Sequence, residues 1–138
     1  MYGAGDATLL VLSASPLGQD VINALESAAH ALGHVDGACV ATLEEAGESL
    51  PLFVAGKDPW AVVAIDAPSI EALSAAFPPA SKALAPDRPV ATGEGYLLVA
   101  VPGFAECLGD QAAKRVAWRR LKAARHPANP LEKQTPTA

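Results

Sequence analysis

Three kinds of residue are scarce in this chain. Aromatic side chains make up 5% of its 138 residues, cysteine occurs twice, and residues 1–76 hold a single base, Lys57. Because hydrophobic residues still amount to 51%, the aromatic shortage requires a core built mainly from Ala, Val and Leu. That apolar share predicts a packed globule and excludes a disordered chain. Cys39 and Cys107 read as buried free thiols in a reducing compartment, and a disulfide between them stays open at this level. Long apolar runs are missing as well. The best, Trp60–Ile65 and Tyr96–Val101, fall far short of the ~20 residues that a membrane span needs. Residues 1–7 lack a basic stretch followed by an apolar one, so no export signal is predicted. The expected location is cytoplasmic, with no membrane partner.

The charge that is present is divided along the chain. The formal net charge is −5, yet residues 1–76 hold ten acids against Lys57, while nine bases outnumber five acids in residues 77–138. Six of those bases fall between Lys114 and Arg125. Such asymmetry marks a polar partner surface. The overall acidity argues against strong non-specific nucleic-acid binding, which depends on neutralising phosphates.

Apolar periodicity gives the order of elements. Thr8–Leu12 predicts a buried strand, and Ser13–Gly18 a turn. Val21, Leu25, Ala28 and Leu32 then recur at helical spacing, with Asp20 in the first turn and Gly33 suited to the C-terminal cap. Ala38–Leu43 reads as a strand with one side less well buried, Glu44–Ser49 as an acidic turn and Leu52–Val54 as a short extra strand. Trp60–Ile65 is the strongest strand. Ala67–Phe77 is a helix with Pro68 near its start, where a missing N–H costs little. Ala80–Pro89 is a proline-rich connection, Pro89–Gly95 a loop or half a hairpin, and Tyr96–Val101 the fourth main strand. Asp110–Arg125 forms the last helix, with Ala113, Ala117, Leu121 and Ala124 as its apolar stripe and Arg115, Arg119 and Lys122 as its basic one.

Strands alternating with helices predict an α/β fold. The expected form is a three-layer α/β/α domain over residues 1–126, with a mostly parallel four-stranded sheet and a flexible tail at 127–138. Functional loops in such folds lie at the carboxyl ends of the strands. Here these are Ser13–Gly18, the segment after Leu43, Asp66–Ser69 and Pro102–Leu108.

Val99–Arg125 reads VAVPGFAECLGDQAAKRVAWRRLKAAR. This segment resembles the C-terminal motif of bacterial uracil-DNA glycosylases of the iron–sulfur type. In that motif a strand ends in Thr-x-His-Pro, continues to Leu-Leu-Arg, and enters a helix with Lys-x-x-Ala-Trp-x-x-Leu. Lys114, Ala117, Trp118 and Leu121 match the helical part at the same spacing. Asp58-Pro59-Trp60 and the following strand and helix are similar to another family segment. Leu10–Gly18 stands where the family's Gly-Glu-x-Pro-Gly motif follows the first strand. The resemblance implies a uracil-DNA glycosylase-like fold.

The same comparison implies lost chemistry. The catalytic-motif His falls on Gly103 and its Pro on Phe104, the DNA-contacting Arg falls on Gly109, and the Gly-Glu pair falls on Ser13 and Ala14, with Pro16 kept. A gap that aligned Pro102 with the motif Pro would put Val101 in place of the His. Two cysteines do not supply the four ligands of an iron–sulfur cluster, so no cofactor and no metal are expected. Base release needs a positioned water or carboxylate and a group that stabilises the departing base. Ala14, Gly103 and Gly109 supply neither.

Other candidates are ordinary residues in suggestive places. Ser13 and Ser15 flank a turn without the Gly-x-Ser-x-Gly pattern of a nucleophile elbow. His30 and His34 have the spacing of a metal pair, but Gly33 between them predicts exposed histidines at a helix end. His126, closing the basic helix, suits the helix dipole. Asp66 is placed as the N-cap of the Pro68 helix. Gly93-Glu94-Gly95 is too short for a phosphate loop. Phe104 is placed either to wedge a base or partner or to pack in the core.

The strand–helix order and the Ala/Trp-containing last helix are also similar in architecture to the psi subunits of bacterial replicative clamp loaders. The expectation is a non-catalytic pseudoenzyme that binds a protein partner in DNA replication or repair, through the acidic face or through Arg115, Arg119 and Lys122. Nucleic-acid binding is expected to be weak. The rivals are an enzyme whose catalytic groups have moved to Asp66, Glu94 or Glu106, and a simple nucleic-acid-binding module.

Overall fold

The computed structural model describes residues 1–77 and 84–126. The expected tail at 127–138 and part of the proline-rich connection lie outside them. In chain order the elements are β1 (Leu9–Ser13), α1 (Gln19–Ala31), β2 (Ala38–Thr42), α2 (Leu43–Ala46), α3 (Leu50–Lys57), β3 (Ala61–Ala64), α4 (Ala67–Ala76), β4 (Val90–Ala91), β5 (Leu97–Ala100), a 3-10 turn (Ala105–Gly109) and α5 (Gln111–Leu121), which tightens into a final 3-10 turn (Lys122–Ala124).

The strands lie side by side in the order β2-β1-β3-β5-β4. Neighbours among the first four run parallel, while β4 pairs antiparallel with β5. The expected four-stranded, mostly parallel sheet is thus corrected to a five-stranded mixed one. The added strand comes from the segment read as a loop or half a hairpin. Thr92 closes it, its N–H donating to the Tyr96 carbonyl at 2.8 Å and its Oγ1 accepting from the Tyr96 N–H at 3.1 Å. A strand of two residues has no period to detect, and the free edge of β5 decides its pairing.

Alternation along the strands sends side chains to two separate cores. Leu9, Val11, Val40, Val63 and Val99 face α1 and α5, whereas Leu10, Leu12, Ala41, Val62 and Leu98 face α3 and α4. The result is a three-layer arrangement. Its packing is tight enough that cutting a fully buried leucine such as Leu10 to alanine costs about 2–5 kcal/mol. Helix α1 presents Val21, Leu25 and Ala29 to its core at four-residue intervals and ends where Gly33 takes φ 90°.

Three local readings are overturned. β2 is buried along both faces, because α1 covers one and the α3–α4 layer the other. The acidic turn is the helical turn α2, held by a capping box between Thr42 and Glu45. The segment Leu52–Val54 is helical. Ser49 caps α3 by accepting from the Leu52 N–H at 3.3 Å, Pro51 stands in the first turn, and Asp58 ends it with a left-handed backbone at φ 50°. Its residues are apolar on nearly all sides, so no helical period distinguished it from a strand. Cys39 packs on the α3–α4 side and Cys107 on the α1–α5 side, and both are free. With the sheet between them, no disulfide joins the two.

Candidate binding site at the carboxyl edge and along the basic helix

Strand order reverses at β1 and β3. β1 leads through α1 to β2 on one side, and the chain then returns to place β3 on the other. In open α/β sheets, ligands bind in the crevice that opens between such strands at their carboxyl ends. Here a carboxylate bridges that crevice. The Ala14 N–H donates to Asp66 Oδ2 at 2.8 Å, and the Ser69 N–H donates to Asp66 Oδ1 at 3.0 Å. Asp66 is the N-cap of α4, as expected, and it also ties the loop after β1 to the loop after β3. Each of its oxygens already accepts a backbone N–H.

The positions that the resemblance singled out lie at the end of β1 and in the segments after β1 and β5. Ser13 is fully buried, and its Oγ donates to the Ser15 carbonyl at 2.9 Å. Ala14 and Pro16 are exposed. Gly103 makes a turn at φ 75°, and Gly109 is exposed at the end of its 3-10 turn. Phe104 is 5% exposed and belongs to the core beside α1 and α5, so it is a packing residue and not a wedge at a site mouth. Of the acids considered for relocated chemistry, Asp66 and Glu106 lie towards the carboxyl ends. Glu94 sits in the β4–β5 turn at the amino end of β5, across the length of the sheet from both.

Beside β2 lies a cavity of about 270 Å³. Its lining includes Tyr2, Ser13, Pro16, Ile22, Thr42 and Glu45. Polar capacity there is largely spent locally: Thr42 Oγ1 accepts from the Glu45 N–H at 3.1 Å, and Glu45 Oε1 accepts from the Thr42 N–H at 2.9 Å.

The histidines form no metal pair. His30 is exposed and meets Glu26 at 3.1 Å, one turn earlier on α1. His34, expected at the surface, is fully buried at the amino end of the sheet. Gly33 turns the chain inward there, and two hydrogen bonds offset the burial. Nε2 donates to the Ala124 carbonyl at 2.7 Å, which leaves Nδ1 to accept from the Thr8 hydroxyl at 2.7 Å. Burial holds the His34 pKa below its ordinary value, against the opposing effect of the Ala124 bond; repulsion from His126 adds to the lowering. The His126 ring stands edge-on to His34 at 5.6 Å between centroids, and the His126 backbone N–H donates to the Leu32 carbonyl at 3.0 Å. Among the described residues, no group of three or more His, Cys, Asp or Glu side chains is arranged to hold a metal ion.

Helix α5 keeps the predicted division of faces. Asp110 caps it, accepting from the Ala112 N–H at 2.9 Å, and Ala117 and Leu121 are buried beneath it. Arg115, Arg119 and Lys122 are exposed. The Lys122 ammonium lies 5.9 Å from the centre of the Trp118 ring. Arg120 and Asp87 escaped the sequence reading. Arg120 lies off the basic stripe, and Asp87 is 33 residues away in the chain, yet Arg120 Nε donates to Asp87 Oδ1 at 3.4 Å. Arg119 reaches the same oxygen at 3.8 Å.

The chain matches no known family model and no curated protein. Among the described residues, no helix is long and apolar enough to cross a membrane.

Proposed function

We propose that this chain is a non-catalytic domain of uracil-DNA glycosylase-like architecture that binds a protein partner in DNA replication or repair, in the manner of clamp-loader psi subunits. The observation that carries this reading is the engagement of Asp66. The acid at the switch point serves as a structural tie between Ala14 and Ser69. Ala14, Gly103 and Gly109 offer no side chain to activate water or to stabilise a departing base. The exposed basic stripe of α5 is the surface assigned to the partner.

The test is a tagged pull-down from source lysate with nuclease treatment. Stoichiometric recovery of clamp-loader or repair subunits is the expected result, abolished when Arg115, Arg119 and Lys122 are all changed to Glu. Recovery of nothing, or of nucleic acid alone, overturns the reading. Release of uracil from single-stranded DNA, lost in Asp66→Ala, would support the relocated-residue enzyme in its place.

A further inference from the structure

Asp87 is an acid that rests against the basic helix α5. It stands at the tip of a tight turn in which Ala85 and Arg88 exchange both backbone hydrogen bonds, at 2.9 and 3.3 Å. From that tip it meets Arg120 at 3.4 Å and Arg119 at 3.8 Å. The turn is closed by its own backbone, so the carboxylate is free to leave the arginines without loosening the loop that carries it.

Between this turn and α5 runs a groove of about 250 Å³. Its lining is apolar at Pro86, Pro89, Val99 and Ala123 and charged at Asp87 and the two arginines. Arg120 is 21% exposed and Arg119 is 65% exposed, so one guanidinium is anchored against the fold and the other reaches outward. Two guanidinium groups converging on one carboxylate form a carboxylate receptor, since each brings a fixed positive charge and several N–H donors. Asp87 itself is 68% exposed. An ion pair so exposed is weak and exchanges readily with a competing anion.

We infer that this groove is an acidic-peptide site on α5 and that Asp87 is its internal competitor. A partner segment would lay a carboxylate on Arg119 and Arg120 in place of Asp87 and rest its aliphatic stem on the proline–valine lining. The inference rests on the protein-binding reading of α5 and adds to it the class of partner, an acidic protein segment, and an autoinhibitory contact that sets the affinity.

The probe is fluorescein-labelled hexaglutamate, titrated with the full chain at low salt and followed by anisotropy, with an equally charged oligothymidylate run in parallel. Asp87→Asn is expected to tighten hexaglutamate binding roughly two- to fivefold, the worth of one exposed ion pair. Arg119→Gln with Arg120→Gln is expected to abolish it. Thermal melting checks that each variant is folded, and the exposure of Asp87 and Arg119 favours that outcome. Unchanged affinity in Asp87→Asn, retained binding in the double variant, or no binding by any form overturns the inference. Tighter binding of oligothymidylate than of hexaglutamate assigns the groove to nucleic acid and overturns the peptide version. The pull-down separates the two levels. A partner captured through α5 but indifferent to Asp87→Asn removes only the competitor. Tightened hexaglutamate binding with no replication or repair partner removes only the proposed function.

Discussion

Asp66 does the work of two residues. As an N-cap it satisfies one of the unpaired N–H groups that open α4, and through Ala14 it fastens the neighbouring loop. Asp66→Ala should therefore cost about 1–2 kcal/mol in urea unfolding, the usual price of a lost cap. Asp66→Asn should cost less, because the amide oxygen still accepts one of the two N–H groups. No loss in Asp66→Asn would show that the second bond, to Ala14, contributes nothing. The cap was legible in Asp66-Ala67-Pro68; its second bond was not, because Ala14 lies 52 residues earlier. His34 gives a pH signature at the same scale. Its folded pKa lies below the ordinary 6.5, so in mildly acid solution the unfolded chain binds a proton that the folded chain refuses. The stabilisation is complete above about pH 6.5 and is lost as pH falls from there through the folded pKa, by at most about 1.4 kcal/mol per pH unit. The urea midpoint should drop between about pH 7.5 and about pH 5.5, and His34→Gln should flatten that drop. An identical pH profile in the variant would remove His34 from the account.

Among the elements, β2 is the instructive one, because an edge strand invites pairing with another chain. Each N–H on its outer side has a partner. The Ala38 N–H donates to Glu26 Oε1 at 3.2 Å, the Val40 N–H to the Tyr2 carbonyl at 2.8 Å, and the Thr42 N–H to Glu45 Oε1 at 2.9 Å. Gly3 lets Tyr2 reach the edge. It takes φ 89°, and a Cβ there would stand 2.0 Å from the Ala38 carbonyl oxygen. Gly3→Ala should detach this strap, speed amide exchange at Val40 and give concentration-dependent association in light scattering. Slow exchange at Val40 in the variant would show that the strap still sits in place. Most elements were visible as periodic runs: β1, β3 and β5 as short apolar blocks, α1 and α5 as stripes. α3 and β4 were not, since one is apolar all round and the other has two residues.

Across the whole molecule, chemistry is sorted by layer. α3 and α4 carry few charged side chains, while α5 carries Lys114, Arg115, Arg119 and Arg120. The loss of partner expected on reversing Arg115, Arg119 and Lys122 is a prediction at this scale, because it depends on the combined field of one face. Capture should also weaken as salt rises, given the exposure of these side chains. Retention of the partner at high salt would place the contact elsewhere.

Composition and periodicity by themselves determined the α/β class, the order of the principal strands and helices and the division of acids and bases. These follow from how often apolar residues recur along the chain, which is local information. The tertiary structure alone decided that β4 joins the sheet, that His34 is buried against Ala124, that Asp66 spans the crevice and that Asp87 rests on Arg119 and Arg120. Each of those depends on residues distant in sequence, or on an edge that exists only once the sheet has formed, and no spacing within a single segment encodes it.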